Sequence, residues 1–310
     1  MSENSGSGDL VTLAAPDGSE IPLRIWPAGS APVRGALQIL HGLGEHADRY
    51  ERFAQAANRH GYLVCAHDHR GHGRRPGQRN FFAPSDGWAL LESDTLKVRE
   101  HIGNIAAEAP VILLGHSMGS YLAQYVAMHY GGRFKGMILS GSTWPSRAQV
   151  FAGYGLARLL AHSRGVRKHS PLLDKLGFNA FNRRFAPART ELDWLSRDPE
   201  EVDRYVADPL CGGPFTIGLW ADLLGGLLRI GTNDAINRIP GELPILITGG
   251  AKDPVGGERG MGELMLHYAE TSHQRLALKI YADGRHEMLN ETNRDDVMRD
   301  WLEWVDGVAG

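Results

Sequence analysis

Ser117 lies in the sequence Gly-His-Ser-Met-Gly over 115–119, which has the form Gly-x-Ser-x-Gly. The apolar run 111–114 before it is typical of a strand buried on both faces, and apolar residues at helical spacing follow over 121–128. A strand, a tight turn and a helix with serine at the turn form a nucleophile elbow, which holds the hydroxyl where a base can reach it. The pattern predicts Ser117 as a nucleophile. The pentapeptide alone is weak evidence, and the alternative is a bystander serine in a glycine-rich turn.

A serine nucleophile needs a histidine base, and in this arrangement the histidine follows the serine along the chain. Only His286 follows the carboxyl end of a predicted strand, 275–281, and opens a loop. We therefore predict His286 as the general base. The histidines compared are His129, His162, His169, His267, His273 and His286.

The acid that orients the base should also follow a strand. Asp253 comes five residues after the predicted strand 243–248. A buried carboxylate there would hold the imidazole tautomer and stabilise the cation that forms. Asp283 and Glu287 lie too near His286 in sequence to turn back on its ring. The alternative for Asp253 is a turn-forming aspartate before proline.

An oxyanion hole requires two backbone amides near Ser117. The amide of Met118 follows the nucleophile at the start of the predicted helix. We expect the second donor to be Leu43, because the glycines on either side let its amide turn inward after the strand 35–40.

Strands and helices alternate along most of the chain, and the apolar strands carry few polar breaks, which predicts an α/β fold with a mostly parallel sheet. A hairpin should come first, because a turn sequence separates two short apolar runs. The predicted strands are 10–13, 21–26, 35–40, 62–66, 111–114, 134–140, 243–248 and 275–281.

The alternation stops over 142–240, where the pattern is helical. We interpret 10–141 and 241–310 as one core, 142–240 as a helical cap inserted into it, and 1–9 as a disordered tail. The cap should cover the carboxyl ends of the strands, where open α/β sheets bind ligands. Its predicted helices are 151–160, 172–181, 199–205 and 219–230.

The composition is that of a soluble globular protein: 310 residues, 42% hydrophobic and 22% charged. The net charge of −3 gives no reason to expect a nucleic-acid partner. Cys65 and Cys211 lie far apart and predict neither a disulfide framework nor a paired metal motif.

The polar start of the chain lacks the basic and apolar stretches of a secretory signal, and no run of about 18 apolar residues occurs. We therefore expect a cytoplasmic protein. The sequence does not indicate an oligomeric state.

Five motifs of this chain stand in the order and spacing of an α/β-hydrolase. Specifically, the chain resembles the monoacylglycerol lipase and lysophospholipase-like branch, whose hallmark is Gly-Glu-His after the oxyanion turn. The resemblance covers roughly 10–306. The motifs are His41-Gly42-Leu43-Gly44-Glu45-His46, Asp68-His69-Arg70-Gly71-His72-Gly73, Gly115-His116-Ser117-Met118-Gly119, Asp253-Pro254 and Gly284-Arg285-His286-Glu287.

This resemblance implies an α/β-hydrolase fold with an inserted helical lid and a Ser117–Asp253–His286 triad. It also implies hydrolysis of carboxylic esters through an acyl-serine, without cofactor or metal, on monoacyl lipid substrates. One departure is Arg75, since the family often has serine there, and the usual contacts of that loop are in doubt.

Three alternatives remain. A serine aminopeptidase or a small-ester esterase could use the same fold and triad. A metal hydrolase could use His67, Asp68, His69 and His72, although adjacent residues of an extended segment point to opposite faces. A non-catalytic binding protein could retain the scaffold.

The first half of the predicted cap, 145–189, carries nine Lys or Arg and a single acid, Asp174, interleaved with leucines and aromatics. One interpretation is an amphipathic lid with solvated cations. The other is a basic, apolar lip that contacts lipid aggregates or anionic head groups. In either case the apolar residues could form a tunnel for an aliphatic chain, so we expect activity to rise with acyl length.

Overall fold

The computed structural model describes residues 8–29, 32–178 and 181–310. Most of the predicted tail, 1–7, lies outside the described residues, and the first strand begins at Asp9.

Eight strands form one sheet in the spatial order β1-β2-β4-β3-β5-β6-β7-β8. The first two pair as an antiparallel hairpin, β2 is antiparallel to β4, and the strands from β3 to β8 run parallel. The predicted α/β fold is therefore confirmed. The strands are β1 Asp9–Ala14, β2 Glu20–Trp26, β3 Gly35–Leu40, β4 Tyr62–His67, β5 Val111–His116, β6 Gly136–Ser140, β7 Ile245–Gly250 and β8 Leu276–Tyr281.

Helices cover both faces of this sheet, which is why the central strands β3 to β7 are buried along their whole length. Side chains of α1 and α10 pack on one face, and side chains of α2, α3 and α9 pack on the other. The α-helices are α1 Glu51–Arg59, α2 Gly87–Ile105, α3 Met118–Tyr130, α4 Arg147–Arg164, α5 Pro171–Phe178, α6 Pro199–Ala207, α7 Ile217–Ile230, α8 Asn233–Ile236, α9 Gly257–Ala269 and α10 Arg294–Ala309.

Between β6 and β7 the chain leaves the sheet and forms α4 to α8; we call 142–240 the inserted segment. Within it α4 packs on α7, and α7 in turn packs on α2 and α3 of the core. Across 8–29, 32–178 and 181–310, no helix has both the length and the apolar character needed to cross a membrane.

The strand register brings the candidate site together. Leu40 pairs with Gly115, His116 with Ser140, and Ser140 with Thr248, so β3, β5, β6 and β7 end level with one another. Because parallel strands end at the same edge, the segments that follow them meet there.

Candidate active site

Ser117 occupies the turn between β5 and α3 with φ 51° and ψ −119°, a conformation that non-glycine residues rarely adopt. Its amide donates to the Ser140 carbonyl at 2.8 Å, which fixes the turn against β6. A Cβ on Gly119 would overlap the Leu40 carbonyl oxygen, and a Cβ on Gly115 would overlap Gly119 itself. The two glycines therefore permit the close approach that the strained turn requires.

His286 and Asp253 form a buried pair beside this turn. Asp253 follows β7, His286 follows β8, and His286 Nδ1 lies 2.8 Å from Asp253 Oδ2. Their exposed fractions are 3% and 2%. Burial lowers the pKa of His286, but the charge and hydrogen bond of Asp253 outweigh it, so the pKa is raised overall. The carboxylate thus fixes the ring and favours its protonated form.

The His286 ring faces the elbow and the inserted segment at once. Its centroid lies 4.7 Å from that of His116 and 5.0 Å from that of Trp194. Ser117 and His286 line the same cavity. Across the described ranges no hydrogen bond joins Ser117 Oγ to this ring, a contact that often tightens only with substrate.

The turn after β3 lies directly against Ser117. A Cβ built on Gly42 would be 3.3 Å from Ser117 Cβ. Leu43 is half-buried and lines the cavity with Ser117. Among the described groups, neither the Leu43 amide nor the Met118 amide donates to a protein acceptor. Their role as oxyanion donors stays a prediction.

The acidic and histidine-rich turn after β4, residues 68–73, is held by hydrogen bonds to the backbone. Asp68 accepts hydrogen bonds from the amides of Ala47 and Arg74, at 2.9 and 2.7 Å. Burial lowers the pKa of His67 and of His72 to about 4, so both rings are neutral near pH 7. In the described chain this turn does not bring three ligand atoms together, and the metal-hydrolase alternative has no ligand set there.

Arg75, the departure from the family pattern, is a buried partner of α2. Its Nη1 donates to Asp94 Oδ2 at 2.7 Å, and Arg70 binds the same carboxylate through two nitrogens at 2.8 and 2.9 Å. Arg75 therefore anchors the loop that the sequence left in doubt.

Sequence reasoning assigned no role to a buried cluster of Glu45, Arg49 and Glu287. Arg49 donates to Glu45 at 2.9 Å and to both oxygens of Glu287 at 2.6 and 2.7 Å. Burial raises the pKa of Glu45, but Arg49, His116 and hydrogen-bond donors outweigh that effect and the pKa is lowered overall. The available signal was that both acids belong to the quoted motifs, Glu45 in the Gly-Glu-His hallmark and Glu287 beside the base.

A cavity of about 470 Å³ opens above Ser117, between the core and the inserted segment. Acidic residues Asp174 and Glu191 also line it, and among its described lining residues there is no lysine or arginine. Its apolar wall includes Leu43, Phe178, Leu192, Trp194, Val206 and Phe215.

The parallel sheet, the elbow and the buried acid–histidine pair define an α/β-hydrolase. Residues 31–293 match the family described as serine aminopeptidase, S33. The chain is 30% identical over 302 residues to the monoacylglycerol lipase of Mycolicibacterium smegmatis, covering 95% of each protein. It is also 30% identical to the monoglyceride lipase of Rattus norvegicus, covering 97% of this chain and 93% of the relative.

Among solved structures, a carboxyl esterase from Bacillus coagulans superposes with a TM-score of 0.90 over 98% of this chain and 100% of its own. At 24% identity that likeness supports the fold. The chain belongs to the serine aminopeptidase S33 family of α/β-hydrolases, and it is a carboxylester hydrolase. The resemblance to monoacylglycerol lipases is thereby confirmed.

Proposed function

We propose that the protein hydrolyses monoacylglycerol-type esters through an acyl intermediate on Ser117. The observation that carries this proposal is the buried Asp253–His286 pair, whose histidine lines the same cavity as a serine held in an elbow. The relatives named as monoacylglycerol lipases support the substrate class.

In this mechanism His286 takes the proton of Ser117 as its oxygen attacks the ester carbonyl. The amides of Leu43 and Met118 stabilise the negative oxygen of the tetrahedral intermediate. His286 then gives its proton to the leaving alcohol, and an acyl-serine remains. A water deprotonated by His286 attacks this ester, the fatty acid leaves, and Ser117 regains its proton. Asp253 holds the ring orientation throughout.

The cavity wall supports an aliphatic acyl group. Aromatic and leucine side chains from the inserted segment face Ser117 across this cavity. Each methylene buried there stabilises binding by up to about 0.8 kcal/mol. The inserted segment is therefore proposed to act as the cap that the sequence predicts.

The polar lining favours a neutral alcohol over a phosphate. Asp174 and Glu191 line the cavity, and none of the nine cations of 145–189 does. Carboxylates accept hydrogen bonds from glycerol hydroxyls and repel an anionic head group. We therefore propose monoacylglycerols ahead of lysophospholipids, in place of the anionic preference that the basic composition of the cap suggested.

We predict that hydrolysis of p-nitrophenyl esters rises from acetate to longer chains until the cavity is filled, then falls. With equal acyl chains, monoacylglycerol should be hydrolysed at least about tenfold faster than lysophosphatidate, a difference of about 1.4 kcal/mol. The measurement is kcat/KM for the p-nitrophenyl esters and for the two lipids. In Glu191→Gln we expect a smaller ratio of kcat/KM between monoacylglycerol and lysophosphatidate. A falling chain-length profile would instead favour a small-ester esterase, and faster cleavage of aminoacyl anilides would favour the aminopeptidase alternative.

We also propose that the inserted segment contacts lipid aggregates. Phe151 and Leu159 on α4 are 69% and 64% exposed, and Leu172 and Leu176 on α5 are 49% and 64% exposed. The first two lie eight residues apart, about two helical turns, so they share one face of α4. Exposed cations on the same two helices, including Arg158, suit an anionic lipid surface.

The double variant Phe151→Ser/Leu159→Ser should lose binding to vesicles that contain anionic lipid. Activity on monoacylglycerol in those vesicles should fall at least about tenfold, since two apolar side chains no longer enter the lipid. Hydrolysis of a soluble short ester should not change. Leu266→Ser is the matched control, because Leu266 is 63% exposed on α9 of the core. Unchanged vesicle binding by the double variant would contradict the proposed surface.

A further inference from the structure

The oxyanion turn is held from two sides, and Leu43 lies between the two attachments. On the core side, the Gly42 amide donates to Glu45 Oε1 at 2.5 Å. On the other side, the Gly44 carbonyl accepts from Tyr205 Oη and from the Gly212 amide, each at 2.7 Å. Tyr205 and Gly212 belong to the inserted segment, so the backbone on the two sides of Leu43 is fixed by different parts of the fold.

Tyr205 is placed to act only as a donor. It lies in α6, is 8% exposed, and burial raises its pKa, so the hydroxyl keeps its proton. The Arg49 guanidinium lies 4.8 Å from its ring centroid and fixes the ring from the core side. Gly44 has φ +73°, and a Cβ built there would be 3.0 Å from Tyr205 Oη and 3.1 Å from Phe215 Cζ. The turn and the inserted segment are thus in close contact at this point.

A further tether lies next to the turn. His46 Nε2 is 2.8 Å from Asp208 Oδ2, and Asp208 lies between Tyr205 and Gly212 in sequence. The single stretch 205–212 therefore holds the oxyanion turn through a phenol, a carboxylate and a backbone amide.

We propose that Tyr205 is a positioning residue that sets the Leu43 amide from the inserted segment, so that the oxyanion hole is complete only when this segment is seated. The inference rests on the proposed role of Leu43 and Ser117. An oxyanion donor works only when its distance to the developing charge is close to that of a good hydrogen bond, and losing one donor costs about 10²–10³ in kcat. Without the Tyr205 hydroxyl, the Gly44 carbonyl keeps only the Gly212 amide of these two donors, so the backbone next to Leu43 is held less firmly. The Leu43 amide then moves away from its best position, which loses part of that factor.

The test is Tyr205→Phe, which removes one hydroxyl and keeps the ring. On a soluble short ester, kcat should fall about tenfold or more while KM changes less than about twofold, since the contact acts on the transition state. Affinity for an alkyl trifluoromethyl ketone, whose serine adduct carries an oxyanion, should fall by the same factor. Tyr62→Phe is the control, because Tyr62 is buried and donates to Asp306 at 2.6 Å far from the site; its kcat should not change.

Full kcat in Tyr205→Phe would overturn the inference, and so would a change confined to KM, which would assign Tyr205 to substrate contact. If Tyr205→Phe does not fold, Asp208→Asn takes its place and should lower kcat and ketone affinity in parallel. The proposed function fails separately, through an active Ser117→Ala variant, so the two failures are distinguishable.

Discussion

Replacing Ser117 or His286 by alanine should lower kcat for ester hydrolysis by about 10⁶, and Asp253→Asn should lower it by about 10⁴. The first two changes remove the nucleophile and the base. The third leaves the ring in place with the wrong tautomer, because an amide in place of the carboxylate can present its NH₂ group to His286 Nδ1. Since the three residues act as a unit, a double variant should lose little more activity than Ser117→Ala alone. The measurement is kcat on a soluble ester, with circular dichroism to show that each variant folds.

Ser170→Ala is the matched control, because Ser170 is buried in the inserted segment and its hydroxyl accepts from the Leu173 amide. Ser117→Ala with more than a few per cent of wild-type activity would move the nucleophile elsewhere. A silent Asp253→Asn would contradict the assignment of the acid. In the described part of the chain neither of the two neighbouring acids is placed to replace it, since Glu287 is bound to Arg49 and Asp283 is exposed.

Arg49→Met should lower the free energy of unfolding by about 3–5 kcal/mol at pH 7. The change keeps an apolar stem of similar length but leaves Glu45 and Glu287 buried without their shared cation. Urea denaturation measures the loss. Arg299→Met is the control, since Arg299 forms an exposed pair with Asp296 and its loss should change the unfolding free energy little.

The difference in unfolding free energy between the wild type and Arg49→Met should become smaller as the pH falls. In the wild type the pKa of Glu45 is lowered, so its stabilising contribution is present above its ordinary pKa of 4.5 and is lost on acidification. In the variant, burial without a counter-charge raises the pKa of Glu45, so protonation on acidification relieves the unfavourable buried charge. The two unfolding free energies should therefore converge towards pH 4.5 and below. A difference that stays constant from pH 7 to pH 4 would show that lost packing, and not charge, causes the destabilisation.

Short-range signals were sufficient to predict the sheet and the elements that carry the site. The elbow depends on Gly115 and Gly119, whose contacts lie within a few residues or on the adjacent strand. Continuous apolar runs marked the buried strands, and the order of motifs placed the candidate acid and base after β7 and β8. The roles of these residues in catalysis stay predictions.

The hydrogen bonds that hold the site residues in place join residues far apart in sequence, so a local sequence pattern does not predict them. Arg49 and Glu287 are 238 residues apart, and Tyr205 and Gly44 are 161 apart. Each pairing follows from the packing of the inserted segment and of the loop after β8 on the oxyanion turn. The residue types were visible, but their partners depend on the tertiary fold.

The inserted segment, too, could be predicted from the sequence only in part. Helices lie at 199–207 and 217–230 close to their predicted positions, but α4 spans Arg147–Arg164, longer than the predicted 151–160, and α8 was not predicted. The predicted helix 172–181 matches α5 as far as Phe178, and its next two residues lie outside the described residues. The additional residues at the two ends of α4 include Arg147, His162 and Arg164, which do not continue the apolar periodicity. Composition also could not tell which charges face inwards, and the cavity is lined by acids although the segment around it is rich in cations.

The central claim is that an acyl group is carried by Ser117. Reaction with an alkyl fluorophosphonate, followed by digestion and mass spectrometry of the peptides, tests it most directly. The account predicts one adduct per chain, on Ser117, formed in parallel with loss of esterase activity and strongly slowed in His286→Ala. An adduct on another residue, or full activity in a chain modified at Ser117, would contradict it.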